Sequence, residues 1–530
     1  MRATSLGHAG ILVETTGGSI LCDPWFHPAF FGSWFVFPRN DQLDDDLLAR
    51  IEAADLLYVS HLHGDHHDAP WLREHLPRDI GVLLPDYPTQ EQRRTMEDLG
   101  FTEFITTRNG VEVDVFDGVH VAIHVETSIT DGPGGDSAIV IADSTGRLVN
   151  QNDCRTTDLG ALAGHGPVDL HWLQYSGAIW YPMVYDLEPG DMRRQCAAKV
   201  DSQGARAMRY VEAIDASTVV PSAGPPVFLD GDLAHLNMVT GDEASIFPDQ
   251  RWFCDRLDRA GRRGVLAVPG TCIEVSSPGA EPVVTHPLSD ADIRAIFDDK
   301  ATYLATYRAD WNDWLQHERA SWARPGTDLV ATLADWWEPL MRRAPTVCAG
   351  IGAPIVFRAM TADTVDVEIV VDPLTARVMD ATHPDAANQE AAYRFDVPRD
   401  LLETVVADRA VDWSNSLLLS CRFRAWRAGP YNENVYNFLK SLSRERISRT
   451  EAEARRRAAG SGADGDEIVI GPYTVQRRCP HRDADLAVFG DIDGDDLVCT
   501  LHGWRFDLDT GVCRTARGHQ VAIRRSDGNG

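Results

Sequence analysis

Cys479 and His481, then after seventeen intervening residues Cys499 and His502, read C-x-H and C-x-x-H. Two thiolates on one iron and two neutral imidazoles on the other make a [2Fe-2S] centre whose potential lies above that of an all-cysteine cluster, and it carries one electron. The same ligand types also build Cys₂His₂ zinc tetrahedra, although C-x-H is a poor zinc knuckle. A second constellation, His61, His63, Asp65 and His66, spells H-x-H-x-D-H directly after the apolar run 54–60. His61 and His63 can project together toward one metal, while Asp65 and His66, on a tightening turn into a helix, face another.

Both sets need loops held by folded layers, and 530 residues with 44% apolar content can bury several cores, so two or three domains are expected. Aromatic residues crowd 25–37, which predicts a buried mini-core, a dimer contact or a flap over the metals; residues 174–182 offer a second such wall. From 286 onward the pattern turns to long helical segments carrying Trp311, Trp314, Trp322, Trp336 and Trp337. Val365, Val367 and Ile369 then alternate with acids, and a strand at 393–397 precedes a helix near Pro398. The charged, then Gly/Ala/Ser-rich stretch 441–466 reads as a linker. The expected organisation is a metal domain at 1–285, a helical and α+β middle domain at 286–448 for scaffolding or dimerisation, a linker at 449–466 and a small all-β domain at 467–530.

The formal charge of -30 disfavours nucleic acid and anionic membranes as partners, although a local basic pocket could hold an anionic substrate. No apolar run reaches membrane-span length and no signal core opens the chain, so a cytoplasmic protein is expected. Ten cysteines are too sparse for a disulfide scaffold. Cys22, Cys154, Cys196, Cys254, Cys272, Cys348 and Cys421 are read as packing residues, as is Cys513.

The runs from Cys479 to Leu486 and from Cys499 to Asp507 resemble the two ligand loops of oxygenase-type Rieske domains. The run from Tyr58 to Asp68 resembles the metal motif of the metallo-β-lactamase fold, with Ser5 to Gly10 and Leu21 to Pro24 similar to that fold's opening hairpin. By that resemblance Asp153, in Asn150-Gln151-Asn152-Asp153-Cys154, is the carboxylate that bridges or neighbours both metals. The two later histidines of the pattern are displaced. The first position falls at Thr127 or Ser128, leaving His124 as the nearest imidazole and Glu126 as an oxygen alternative; the second falls in Ser222-Ala223-Gly224-Pro225-Pro226, with His235 nine residues on. Both His124 and His235 are metal-ligand candidates, whereas His8, His120 and His171 are read as structural. The middle domain is vaguely similar to a sterol-carrier domain.

A metallo-β-lactamase-like αββα sandwich joined to a Rieske domain resembles the cytidine-monophosphate N-acetylneuraminate hydroxylase group, supported also by Arg422 to Ala425 and Gly429 to Glu433. The domain order differs, with the Rieske module last. The resemblance implies a multidomain α+β protein that oxidises a small-molecule substrate with O2 at non-haem iron, one or two ions, with electrons relayed through the [2Fe-2S] cluster. Altered, more oxygen-rich ligands suit iron, with zinc as the alternative. No G-x-G-x-x-G stands at a strand-to-helix turn, and 132–135 lack that frame, so an external ferredoxin or NAD(P)H-dependent reductase is expected. Electron transfer within one chain or across a homodimer would bring a carboxylate between a Rieske histidine and a metal histidine, for which Asp68, Asp483 and Asp485 are candidates. The rival readings are a zinc-dependent hydrolase with a redox-sensing Rieske domain and a non-catalytic electron-transfer protein.

Overall fold

The computed structural model describes residues 1–127, 135–386, 390–458 and 466–526; Ser128, Gly132 to Gly134 and the 459–465 portion of the expected linker lie outside them. The chain forms two units, one of Met1–Met183, Leu187–Arg319 and Leu419–Cys421, the other of Val184–Asp186, Ala320–Leu418 and Arg422–Gly530.

Two sheets face one another in the first unit. One has eight strands in the order Val283–Thr285, Cys272–Glu274, Arg2–Gly7, Gly10–Glu14, Ser19–Cys22, Leu56–Tyr58, Gly81–Leu84 and Glu103–Thr106. The other has six, in the order Thr218–Ser222, Leu170–Gln174, Arg147–Asn152, Asp136–Ala142, Val119–Glu126 and Val113–Phe116. Because successive strand residues point to opposite faces, Ile11, Val13, Ile20 and Tyr58 fill the space between the sheets with Val121, Ile123, Ile139 and Leu148. Their neighbours Leu12, Leu21 and Leu57 instead pack under Leu47 and Ile51 of helix Asp45–Glu52 and Trp71 and Leu72 of helix Ala69–His75. On the far side, Ala122, Val140 and Val149 meet Leu162 and Ile214, the latter from helix Pro189–Ile214. The result is the expected helix–sheet–sheet–helix sandwich.

The aromatic stretch 25–37 forms a mini-core. Phe35 and Phe37 are buried against Phe297, Tyr307 and Leu315, and the Phe35 ring meets those of Tyr307, Trp311 and Trp314 edge-on. This draws helix Asp290–Asp298 and most of helix Lys300–Ser321 into the first unit, so the division falls near residue 320 and not at 285.

In the second unit a five-stranded sheet runs Arg377–Asp380, Thr364–Asp372, Ile355–Thr361, Tyr393–Pro398 and Arg424–Arg427. Pro398, at the N-cap, opens helix Arg399–Ala407 as expected. The sheet and helix Leu329–Arg343 enclose an aromatic interior in which Trp337 lies 4.8 Å from Trp413 and 5.7 Å from Phe357, which stacks on Phe395. The segment expected to begin the linker is helical as far as Ala458, within Arg444–Ala458. Its charges pair at helical spacing, Arg455 with Glu451 and Arg457 with Glu453, while Ile447, Thr450 and Glu451 are buried. Beyond it stand two three-stranded sheets, Glu467–Ile470, Tyr473–Gln476 and Ile523–Arg525, then Gly490–Asp493, Asp496–Cys499 and Trp504–Asp507. Among the described residues no helix is long and apolar enough to cross a membrane.

Trp337→Ala should destabilise the second unit by about 3–5 kcal/mol, the usual cost of emptying a tryptophan-sized core position. Denaturant unfolding of the full chain checks this, and a change below about 1 kcal/mol would show that Trp337 does not anchor that interior.

Candidate functional site

The first-unit site assembles where strands stop. Leu56–Tyr58 is parallel to both its neighbours, and its carboxyl end releases the loop bearing His61 to Asp68. Arg147–Asn152 releases Asp153 at its own carboxyl end, and its antiparallel neighbour Asp136–Ala142 begins there with Asp136. Ligand-binding groups collect at such strand ends in open α/β sheets. The loop is fixed from beneath: Ser60 N donates to Asp23 Oδ1 (2.6 Å), Ser137 Oγ to Ser60 O (2.8 Å), and Tyr58 Oη and Ser137 Oγ share a 2.8 Å hydrogen bond. His8, Asp23, Asn152 and Ala223 all have left-handed φ, 40–50°, backbone strain that the surrounding structure must hold in place.

His61, His66 and Asp153 come together with their ligand atoms within 4.8 Å of one another, and so do His8, Asp65 and His66. His61 Nε2 lies 2.7 Å from His63 Nδ1, and His61 Nδ1 lies 3.3 Å from Asp136 Oδ1. His66 Nδ1 is held by Asp23 Oδ2 at 3.0 Å while its Nε2 faces Asp153 Oδ1 at 3.6 Å and Asp65 Oδ2 at 3.8 Å. Burial alone would depress the His66 pKa, but Asp65, Asp153 and Asp23 outweigh it and hold it well above the usual imidazole value. Burial, then His66 and His63, push His61 well below. Burial and Asp153 push the Asp136 carboxyl well above the carboxylate range. His8 Nδ1, His66 Nε2 and Asp153 Oδ1 are buried without a hydrogen-bond partner. The orphaned His66 Nε2 and Asp153 Oδ1, 3.6 Å apart beside shifted imidazoles and carboxylates, fit a metal ion with mixed N/O ligands.

The structure thus brings His61, Asp65, His66 and Asp153 into two ligand groups that share His66, with His63 in contact with His61 but in neither group, so the grouping differs from the expected His61/His63 and Asp65/His66 pairs, and two further candidates lie elsewhere. His124 lies on the opposite face of its strand from the core residues Val121 and Ile123, and its Nε2 meets His165 Nε2 at 2.7 Å, with His165 Nδ1 on Glu112 at 3.0 Å. His235 is exposed on the turn Ala234–Leu236, outside both gathered groups. Two participants were missed. His8, read as structural, turns inward from the hairpin between the first two strands and meets Asp65 Oδ2 at 3.0 Å. Asp136 could have been suspected as the one charged residue of its strand, standing at the strand's start. His120, on Asp114, and His171, whose Nε2 contacts Gln151 at 3.0 Å, are structural as read.

In the second unit Cys479, His481, Cys499 and His502 converge. The two thiols are hydrogen-bonded, which with burial holds Cys479 well above the usual thiol pKa, and the His481 and His502 rings are 4.6 Å apart. His481 is buried, its pKa pushed down to about 3 by desolvation, and its Nδ1 has no hydrogen-bond partner. A thiol pair and two adjacent imidazoles, each with an orphaned Nδ1, fit an iron–sulfur cluster. His481 stacks on Trp504 at 3.8 Å. The Arg482 guanidinium donates to His502 Nε2 at 2.8 Å.

The carboxylate beside a cluster histidine is Glu433, none of the three aspartates considered. Its Oε2 is 3.8 Å from His481 Nε2, and its Oε1 is 2.9 Å from His519 Nε2 and 3.3 Å from Arg457. Despite burial, His519, His481 and Arg457 hold its pKa down to about 2. Glu433 opens helix Glu433–Leu439, and the N-cap Asn432 ties that end down by accepting from Asn434 N and donating to Gly350 O and Ile351 O. Asp68 instead caps helix Ala69–His75 and holds His27, Asp485 caps Leu486–Phe489 and pairs with Arg477, and Asp483 contributes its backbone carbonyl to Arg478.

Fold and sites define a metallo-β-lactamase-fold unit fused to a C-terminal Rieske module. Residues 329–456 match the Rv3818-like, SCP2-like domain family and residues 465–524 the Rieske [2Fe-2S] domain family. Proteins of Mycolicibacterium smegmatis and Mycobacterium tuberculosis are each 42% identical over 99% of this chain and 100% of their own length, under the provisional name Rieske 2Fe-2S iron-sulfur protein. The chain belongs to this family. Cytidine monophosphate-N-acetylneuraminic acid hydroxylase of Danio rerio is 28% identical over 34% of this chain and 30% of its own. Among solved structures, the metallo hydrolase Igni18 of Ignicoccus hospitalis covers 54% of this chain and 98% of its own at 17% identity and TM-score 0.36. CmlA, a diiron β-hydroxylase from Streptomyces venezuelae, covers 54% of each at 14% identity and TM-score 0.32.

Two outcomes follow from the geometry. His8→Ala should lower the metal content of the first unit while His124→Ala leaves it unchanged, measured by elemental analysis of the purified full chain; equal loss in both would restore His124 as a ligand. Glu433→Gln removes an anion beside a cluster ligand, which favours the reduced, more negative state. The cluster's midpoint potential, read by redox titration of its electron paramagnetic resonance signal, should therefore rise, and an unchanged or lower value would deny Glu433 that influence.

Proposed function

We propose that the protein is a Rieske-coupled non-haem iron oxygenase that oxidises a small molecule at the first-unit site. The observation that carries this reading is one chain holding both a one-electron module and a buried His/Asp constellation with orphaned ligand atoms. A hydrolytic zinc site has no use for an electron supply. His61, His63, Asp65, His66, Asp153 and His8 would hold the metal, with Asp136 beside His61; Cys479, Cys499, His481 and His502 would hold the cluster. Non-haem iron, when bound, supplies redox chemistry with dioxygen and open positions that its carboxylate and imidazole ligands leave.

The chain's own residues supply the rest. Asp23 fixes the ring orientation of His66 through Nδ1, so Nε2 is the nitrogen presented. The Tyr58–Ser137–Ser60 hydrogen bonds hold the ligand loop at a fixed height above the strands. Glu433, anchored by His519 and Arg457, sets the orientation and charge at the outer edge of His481. A ferredoxin or NAD(P)H-dependent reductase would feed the cluster, since the sequence carries no dinucleotide fingerprint.

Metal analysis tests the proposal. Iron in excess of the two atoms of one [2Fe-2S] cluster is the expected result, whereas zinc at the first-unit site would favour a redox-sensing hydrolase and an empty site an electron carrier. Cys479→Ser should abolish reductase-supported turnover yet keep the first-unit metal, and His63→Ala should do the reverse to the two centres. Normal turnover of Cys479→Ser with an enzymatic electron donor would remove the relay from the mechanism.

A further inference from the structure

Beside Asp153 the chain concentrates positive charge. Lys199, Gln203, Arg206 and Tyr210 are spaced four, three and four residues apart on helix Pro189–Ile214, which places them on one stripe. That stripe leans over the turn after Arg147–Asn152. Tyr210 Oη reaches Thr156 O at 3.5 Å, and Arg206, only 5% exposed, lies within electrostatic reach of both Asp153 and Arg155. Arg155 itself stands two residues beyond Asp153. Gln203 lies against Gly177 so closely that any side chain there would strike its amide, and Gln203 Oε1 and the neighbouring loop's Ser176 Oγ are buried without a hydrogen-bond partner.

Neither Arg155 nor Lys199 has a hydrogen-bond or ion-pair partner among the described residues. Both are half-buried, so each remains reachable. In a chain of formal charge -30, acidic partners are plentiful, yet these cations face one another. Burial and then mutual repulsion with Arg155 and Arg206 hold Lys199 at about 8. Placing the unpartnered Lys199 and Arg155 together in a partly desolvated place is unfavourable unless an anion joins them, and a metal ion on the Asp153 side would add to the repulsion.

We propose that Arg155, Lys199 and Arg206 form the subsite that binds an anionic group, a carboxylate or a phosphate ester, of the molecule acted on at the neighbouring metal centre. Arg155 and Arg206 offer forked donors that suit planar or tetrahedral oxyanions and Lys199 a point charge, while Gln203 and Ser176 offer polar atoms to the adjoining part of the ligand. The inference rests on the Proposed function for the identity of the reaction and on the cation cluster for the chemistry of the ligand.

Calorimetric titration of the purified full chain with inorganic phosphate and, separately, with acetate tests it. Saturable binding of at least one anion is expected, weakened about tenfold or more in both Lys199→Met and Arg155→Gln, and unchanged in Arg193→Gln, a substitution at an exposed position of the same helix. Tighter phosphate binding assigns a phosphate ester, and tighter acetate binding a carboxylate. Circular dichroism and metal content equal to those of the unsubstituted protein establish that each variant is folded, and the two half-buried positions avoid emptying the buried Arg206 site. The proposal is overturned if neither anion binds, if both variants bind as the parent does, or if chelating the metal removes the binding. Zinc in place of iron would defeat the oxygenase reading and leave this titration intact; failed titration with iron present would do the opposite.

Discussion

Three carboxylates, Asp23, Asp65 and Asp136, and three imidazoles, His8, His61 and His66, are removed from solvent at one edge of the first unit, with Asp153 half-buried beside them. Taking each ionised group out of water costs several kcal/mol before any pairing. The arrangement offsets that cost unevenly: Asp65 is held below the usual carboxylate range by His66 and His8, whereas Asp136 is driven above it. A bound cation would resolve this imbalance by stabilising the carboxylates and neutral imidazoles together. The register of the two sheets serves that end, since a one-residue slip in Arg147–Asn152 or Asp136–Ala142 would turn every side chain of the strand to its other face.

The second unit meets an equivalent demand with protein groups alone. Glu433 stays ionised while buried because His519, Arg457 and His481 surround it, and it is carried on a helix end that the Asn432 side chain ties to the segment before strand Ile355–Thr361. The aromatic interior around Trp337, Trp413, Phe357 and Phe395 therefore has a consequence for the cluster. Phe438, on the helix that begins at Glu433, packs 5.5 Å from Trp337, so this interior seats the helix whose first residue faces His481.

The ligand motifs were legible because each is local: a strand, a short loop, and side chains whose spacing alone brings them together. Asp153 was legible through resemblance, as the residue that follows an apolar strand. His124 was misread because the side a strand residue faces depends on which neighbours fill the core, and only the placement of Val121 and Ile123 between the sheets reveals it. His8 and Asp136 depend on pairings with chain segments 57 and 75 residues away, His8 with Asp65 and Asp136 with His61. The charged composition of Arg444–Ala458 reads as a linker, yet its i,i+4 pairs and one buried face make that composition helical. Glu433 lies inside a phrase that supported the family resemblance, but nothing local says that its partner is 48 residues away at His481.

The two cluster histidines are treated unequally. His481 is buried, stacked on Trp504 and faced by a carboxylate, while His502 is half-buried and receives a guanidinium hydrogen bond. An anion near a ligand opposes reduction of the cluster and a cation favours it, and the strength of each depends on the local dielectric. Glu433 shares its charge with His519 and Arg457, which weakens its pull, whereas the equally buried Arg482 acts at closer range. The potential of a cluster held there would therefore be set by a balance of nearby opposing charges and not by the ligand set alone. Such a balance lets a protein adjust how readily the cluster passes its electron onward without altering Cys479, His481, Cys499 or His502.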